Sequence, residues 1–147
     1  NNKVENFAIT TTPLDGRGVR RAVIWAGAVL QTPYREMAAQ RNIGTDGVYI
    51  AYYAFGTPAS RSRMAAGSRI TEVDGQAVAD LDTFIELVRN RQDQESVRLT
   101  TVSWSGSVQV SSLTLDEIYW PAAELRYNGD WHRIPISPAA PGAAVKH

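Results

Sequence analysis

Two histidines are present, His132 and His147. His147 is the last residue, so a Ser-His-acid hydrolase would have to be built on His132. No serine lies in a G-x-S-x-G context, and Ser105 falls in a turn between two strand-like runs. An enzyme acting through His132 and a nearby carboxylate therefore has no motif behind it, and the simpler reading of His132 is a surface residue beside Trp131. Zero cysteines remove disulfides, thiol nucleophiles and thiolate metal sites together. Two histidines are too few for an imidazole metal cluster, and Asp80/Asp82 and Asp116/Glu117 read as helix caps or solvated charges. Glycines 16, 18, 44, 47, 56 and 67 form neither G-x-G-x-x-G nor a phosphate loop, so no nucleotide or other cofactor is expected.

With catalysis set aside, the remaining chemistry is binding, and the charge balance narrows the partners. The 147 residues carry fifteen Lys and Arg against fifteen Asp and Glu, which gives no electrostatic reason for a nucleic acid or an anionic membrane surface. No run of about 18 apolar residues exists to span a bilayer, and the opening stretch lacks the apolar core of a signal peptide. A hydrophobic content of 44% suits one globular core. The expected organisation is a polar linker over 1–18, a domain over 19–116, an extension over 117–136 packed on it, and a Pro- and Ala-rich tail over 137–147.

The elements that must form the domain alternate. RRAVIWAGAVL, Arg20 to Leu30, reads as one strand with a bend at Gly27. Thr32-Pro33 opens a short helix that ends near Arg41. Gly47 to Phe55 is a strand, Gly56-Thr57-Pro58 breaks it, and Ala59 to Ala66 allows a second short helix stopped by Gly67. Arg69 to Val73 alternates up to Asp74-Gly75, a tight-turn signal. Asp80 caps an amphipathic helix in which Leu81, Phe84, Ile85 and Val88 fall at i, i+3, i+4 and i+7, with Leu87 widening the face. Ser96 to Trp104 and Ser107 to Leu115 form a hairpin around Ser105-Gly106.

The segment GVYIAYYAFGTPASRSRMAAGSRITEVDGQAVADLDTFIELVRN resembles the PDZ domains of HtrA/Deg-type serine proteases. Gly56-Thr57-Pro58-Ala59 occupies the place of their G-S-P-A. Arg69-Ile70-Thr71-Glu72-Val73-Asp74-Gly75 occupies that of their strand and turn, and Met64 with Ala66-Gly67 fits the stretch between. Arg21 to Ala28 with Gln31 to Tyr34, and Tyr119 to Tyr127, are similar to the WAG and YWP-x-x-ELR segments that flank the last PDZ domain of the double-length Deg proteases of fungal nuclei and chloroplasts. The resemblance implies an α+β, circularly permuted HtrA-type fold: a small, partly open β-barrel or sandwich capped by one long and one or two short helices. It implies a periplasmic or otherwise extracytoplasmic place for a bacterial chain, and nucleus or chloroplast for a eukaryotic one.

It also implies a groove in which an extended peptide is added as a strand beside an edge strand, with side-chain pockets on a facing helix. By position the strand is Ile24 to Leu30 and the helix is Leu81 to Arg91. A terminal carboxylate would be cradled by backbone N–H groups of Arg20 to Trp25, including Val23 and Ile24, with Arg20 or Arg21 as countercharge. Ala26, Gly27 and Ala28 continue that wall, and Leu81, Ile85 and Val88 present an apolar stripe to the ligand. HtrA-type domains usually place glycine where Trp25 stands, so Trp25 would narrow the carboxylate nest. Each assignment has a plainer counterpart: Leu81, Ile85, Val88 and Trp25 as core, Arg20 and Arg21 as solvated strand ends. The implied partners are segments with apolar ends and neighbouring protease or PDZ domains of a parent chain. The rival is a structural PDZ fold whose groove is filled by Trp25 or its own tail and which makes interdomain or oligomer contacts. Tyr119, Trp120, Tyr127 and Trp131 are expected to bury their rings in docking the extension, and an extension lying over the groove would inhibit peptide binding.

Overall fold

A computed structural model describes residues 18–41 and 44–136. The expected tail, and all of the expected linker but Gly18, lie outside the described residues.

β1 (Arg21–Trp25) and β2 (Ala28–Gln31) are followed by α1 (Arg35–Arg41), β3 (Val48–Tyr53) and α2 (Pro58–Arg61). Next come β4 (Arg69–Val73), the two-residue β5 (Gln76–Ala77), α3 (Leu81–Val88), and the β6 (Ser96–Val102) and β7 (Val108–Thr114) hairpin. A second hairpin, β8 (Ala123–Asn128) with β9 (Asp130–Pro135), completes the chain of elements. Among the described residues the nine strands join one open sheet in the order β7-β6-β4-β3-β2-β1-β8-β9, with β5 beside β4.

The stretch read as one strand from Arg20 to Leu30 is two. Ala26 and Gly27 both take positive φ, 52° and 82°, the backbone of a two-residue hairpin turn whose twist matches the strands it joins. That turn is fixed from outside: Ala54 and Ala59 donate backbone hydrogen bonds to the carbonyls of Gly27 and Ala26 at 2.9 and 3.0 Å. A Cβ on Gly27 would fall 2.3 Å from the Thr57 side chain, so only glycine fits there. Thr57 in turn caps α2, its hydroxyl accepting from the Ser60 N–H. The helix expected over Ala59 to Ala66 is only Pro58–Arg61, because Arg63 turns left-handed at φ 61°.

The core lies where the sheet meets α3. Asp80 caps this helix by accepting from the Thr83 N–H at 2.8 Å, which aims Leu81, Phe84, Ile85 and Val88 inward, as the spacing predicts. Phe84 packs edge-on against Trp25 with ring centroids 5.3 Å apart. Leu30, Ile50, Ile70 and Leu99 close around them, each without exposed surface. Asp74 and Gly75, at φ 50° and 79°, make the tight turn that starts β5.

Candidate functional site

A strand inside a sheet has two edges, and those of β1 are both used. One pairs with β2, Val23 opposite Leu30 and Trp25 opposite Ala28. The other pairs antiparallel with β8, setting Arg21 against Arg126, Ala22 against Leu125, Val23 against Glu124 and Ile24 against Ala123. The Tyr127 N–H continues this ladder onto the Arg20 carbonyl at 2.8 Å. By antiparallel alternation, the N–H groups of Leu125 and Ala123 face β1, while Glu124 and Arg126 face β9. Of Arg20 to Trp25, the stretch whose N–H groups were expected to cradle a terminal carboxylate, Arg21–Trp25 is a strand with a chain on either side. β8 is the chain on its outer edge.

A polar clasp ties three elements at this edge. The Arg21 guanidinium meets Asp82, in the first turn of α3, and Glu124, on β8, at 2.5 Å each. Arg126 Nε reaches the same Glu124 oxygen at 2.7 Å. Burial pushes the Glu124 carboxyl up, but the hydrogen bonds from Arg126 and Arg21 outweigh it and hold the group below the usual carboxylate range. The bond from Arg21 likewise lowers Asp82 and, seen from the other partner, raises Arg21. Glu124 is 5% exposed, so its charge is held by geometry rather than by water.

Among the expected site residues, Arg21, Val23, Ile24 and Trp25 stand together on β1, while Ala26 and Gly27 form its turn and Ala28 begins β2. Trp25 is fully buried in the core, and its indole N–H has no hydrogen-bond partner. Leu81, Ile85 and Val88 are buried in the same cluster as Trp25, Phe84 and two residues of the extension, Ala122 and Ile136. Arg20 is exposed and lies over the Tyr127 ring, 5.4 Å from its centre. A cavity of about 510 Å³ opens there between Gly18, Val19, Arg20, Tyr127 and Trp131. Among the described residues no group of three or more His, Asp or Glu is placed to hold a metal ion, and no helix is long and apolar enough to cross a membrane.

The extension docks differently from the expectation. Tyr119, Trp131 and Tyr127 stay open to solvent, with 78%, 52% and 39% of their surface exposed, and of the four rings Trp120 is half-buried. Tyr127 and Trp131 pack on each other across the hairpin, 5.5 Å apart. The anchors are Ala122, Ala123, Glu124 and Ile136, together with the backbone ladder. Asn128-Gly129, between AELRY and DWHRI, is the sequence signal that marks this hairpin.

Known proteins agree with this architecture. The PDZ-like domain family matches residues 19–94. The chain is 32% identical over 132 residues to Protease Do-like 7 of Arabidopsis thaliana, covering 86% of this chain and 12% of that protein. It is 34% identical over 130 residues to the pro-apoptotic serine protease NMA111 of Yarrowia lipolytica, covering 88% and 13%. It thus spans about one eighth of the length of these relatives. Among solved structures, the HtrA-type protease AlgW with a decapeptide superimposes with a TM-score of 0.55 at 19% identity, over 65% of this chain and 29% of that one. The HtrA3 PDZ domain bound to a phage-derived ligand, FGRWV, does so with 0.53 at 15%, over 71% and 91%. The chain belongs to the PDZ-like domain family, and its relatives are HtrA-type serine proteases.

Proposed function

We propose that this chain is a non-catalytic binding module of a larger HtrA-type serine protease, recognising extended polypeptide by adding it as a strand to β1 beside α3. The observation that carries the reading is that this edge of β1 takes an added strand over four register positions. Val23, Ile24 and Trp25 supply the edge, with Ala26, Gly27 and Ala28 holding its turn. Leu81, Ile85 and Val88 supply the apolar wall, and Arg20 and Arg21 the countercharge for an anionic end. The HtrA3 PDZ domain and AlgW, each solved with a peptide ligand, support the same use of the fold. The protease chemistry belongs to other parts of such a protein, and neighbouring domains are natural sources of the segment.

A second reading is favoured by one fact: the edge is taken by the chain's own β8. On it the domain is a closed structural unit for interdomain or oligomer contacts. Titration of the labelled chain with apolar-ended peptides, as free acids and as amides, decides between them by NMR. Shifts concentrated in β1 and α3 are expected, stronger for the free acid. Saturable binding that leaves those resonances unmoved contradicts strand addition at β1.

A further inference from the structure

Resting on the strand-addition reading, we infer that β8–β9 is a displaceable ligand in cis: the domain is held closed by its own hairpin, and a segment in trans binds by taking the place of β8. Three observations converge. β8 occupies the outer edge of β1 in antiparallel register, with Ala122 in the same buried cluster as Leu81, Ile85 and Val88. The hairpin adds little to that cluster: only the residues flanking it, Ala122 and Ile136, enter the cluster, Ala123 is buried outside it, and every residue of β9 is exposed. Its release therefore leaves the Trp25–Phe84 core in place, as expected of a unit of low local stability.

The third observation is the clasp. Arg21 joins Asp82 on the α3 wall to Glu124 on the occupant, so one cation couples the helix to whatever strand lies on β1. Glu124 satisfies Arg21 from within the hairpin, and the countercharge that an anionic ligand would use is already spent. Where the extension meets the cluster that holds Leu81, Ile85 and Val88 it enters with Ala122, the smallest apolar side chain. A segment with larger apolar residues there buries more surface than β8 does. Against it stands the tethering of β8, whose effective concentration is that of an intramolecular partner. Apparent affinity in trans is thus reduced by the fraction of open molecules.

The chain has no cysteine, which permits a clean lock. Ile24 and Ala123 face each other as a hydrogen-bonded pair, with Cα atoms about 5.5 Å apart in such pairs, inside disulfide range. Binding of fluorescein-labelled, apolar-ended decapeptides is measured by polarisation on the whole chain carrying I24C and A123C, oxidised and reduced, and on E124K. A second opening variant, L125P, removes the N–H that faces Ala22. Oxidation is expected to abolish binding and reductant to restore it. E124K or L125P is expected to bind about tenfold tighter or more than the unaltered chain. Equal affinity of the oxidised and reduced lock overturns the cis-ligand inference while leaving peptide binding standing. No binding by any form, with amide exchange showing β8 released in an opening variant, overturns the strand-addition reading itself.

Discussion

The two faces of β1 are held by different physics. Toward β2, β3 and α3 the contacts are large buried side chains, Trp25 on Phe84 with Leu30 and Ile50 around them, all without exposed surface. Toward β8 they are a backbone ladder, two buried alanines and the Arg21–Glu124–Arg126 clasp. Apolar burial scales with area and fixes the fold; a ladder with charge pairs fixes register and direction with far less net stability. The contrast teaches which side of the strand is fused to the core and which side carries a hairpin laid on by backbone and charge, the edge proposed above for binding.

The strongest way to break that contrast is to strike the core side. Phe84→Ala is expected to lose about 3–5 kcal/mol of global stability, read by urea denaturation, with the whole sheet melting together. Gly27→Ala comes next, at about 2–3 kcal/mol, because it forces a side chain into positive φ and against Thr57. A loss below 0.5 kcal/mol would show that the turn is not fixed as described.

Glu124→Gln sharpens the contrast from the other side. It removes the charge between Arg21 and Arg126 and is expected to lose about 1–2 kcal/mol, confined to faster amide exchange in β8 and β9. Equal acceleration in β4 and β6 would mean that hairpin and core are one cooperative unit. Acid has the same local effect. The folded Glu124 carboxyl titrates below its ordinary value of about 4.3, so its contribution is full above that pH and is lost as pH falls through the folded value. Protection of β8 amides should therefore fade as acid protonates Glu124, with Arg21, Arg126 and Asp82 the charged groups around it, while α3 amides facing Trp25 stay protected. Unchanged β8 protection down to pH 2 contradicts a clasp dependent on the Glu124 charge.

The legible parts of the sequence were those written in local spacing. The period of Leu81, Phe84, Ile85 and Val88 behind Asp80 specifies α3, and Asp74-Gly75 specifies its turn, because capping and turn geometry are set by neighbours in the chain. The Ala26–Gly27 hairpin was hidden, since alanine at positive φ is no turn signal and the reason for it, Thr57, is thirty residues away. Arg21 stands out in the sequence as a charge at the start of a strand, but its partners do not. Asp82 and Glu124 lie 61 and 103 residues along the chain, and only the strand order brings them together. The aromatic residues of the extension are conspicuous for their size, whereas much of what holds it is a backbone ladder, the buried Glu124 and two alanines, which carry no signal in one sequence.

The most direct test of the central claim, that the binding edge of β1 is filled in cis, is the set of cross-strand α-proton NOEs in the peptide-free chain. Arg21–Arg126 and Val23–Glu124 are non-hydrogen-bonded pairs of an antiparallel ladder, where Cα atoms approach to about 4.5 Å and the α-protons point at each other. Strong NOEs between both pairs, with slow exchange of the Leu125 amide, are the predicted result. Their absence, with β8 amides exchanging at the rate of an unstructured chain, would leave the edge open and contradict the account.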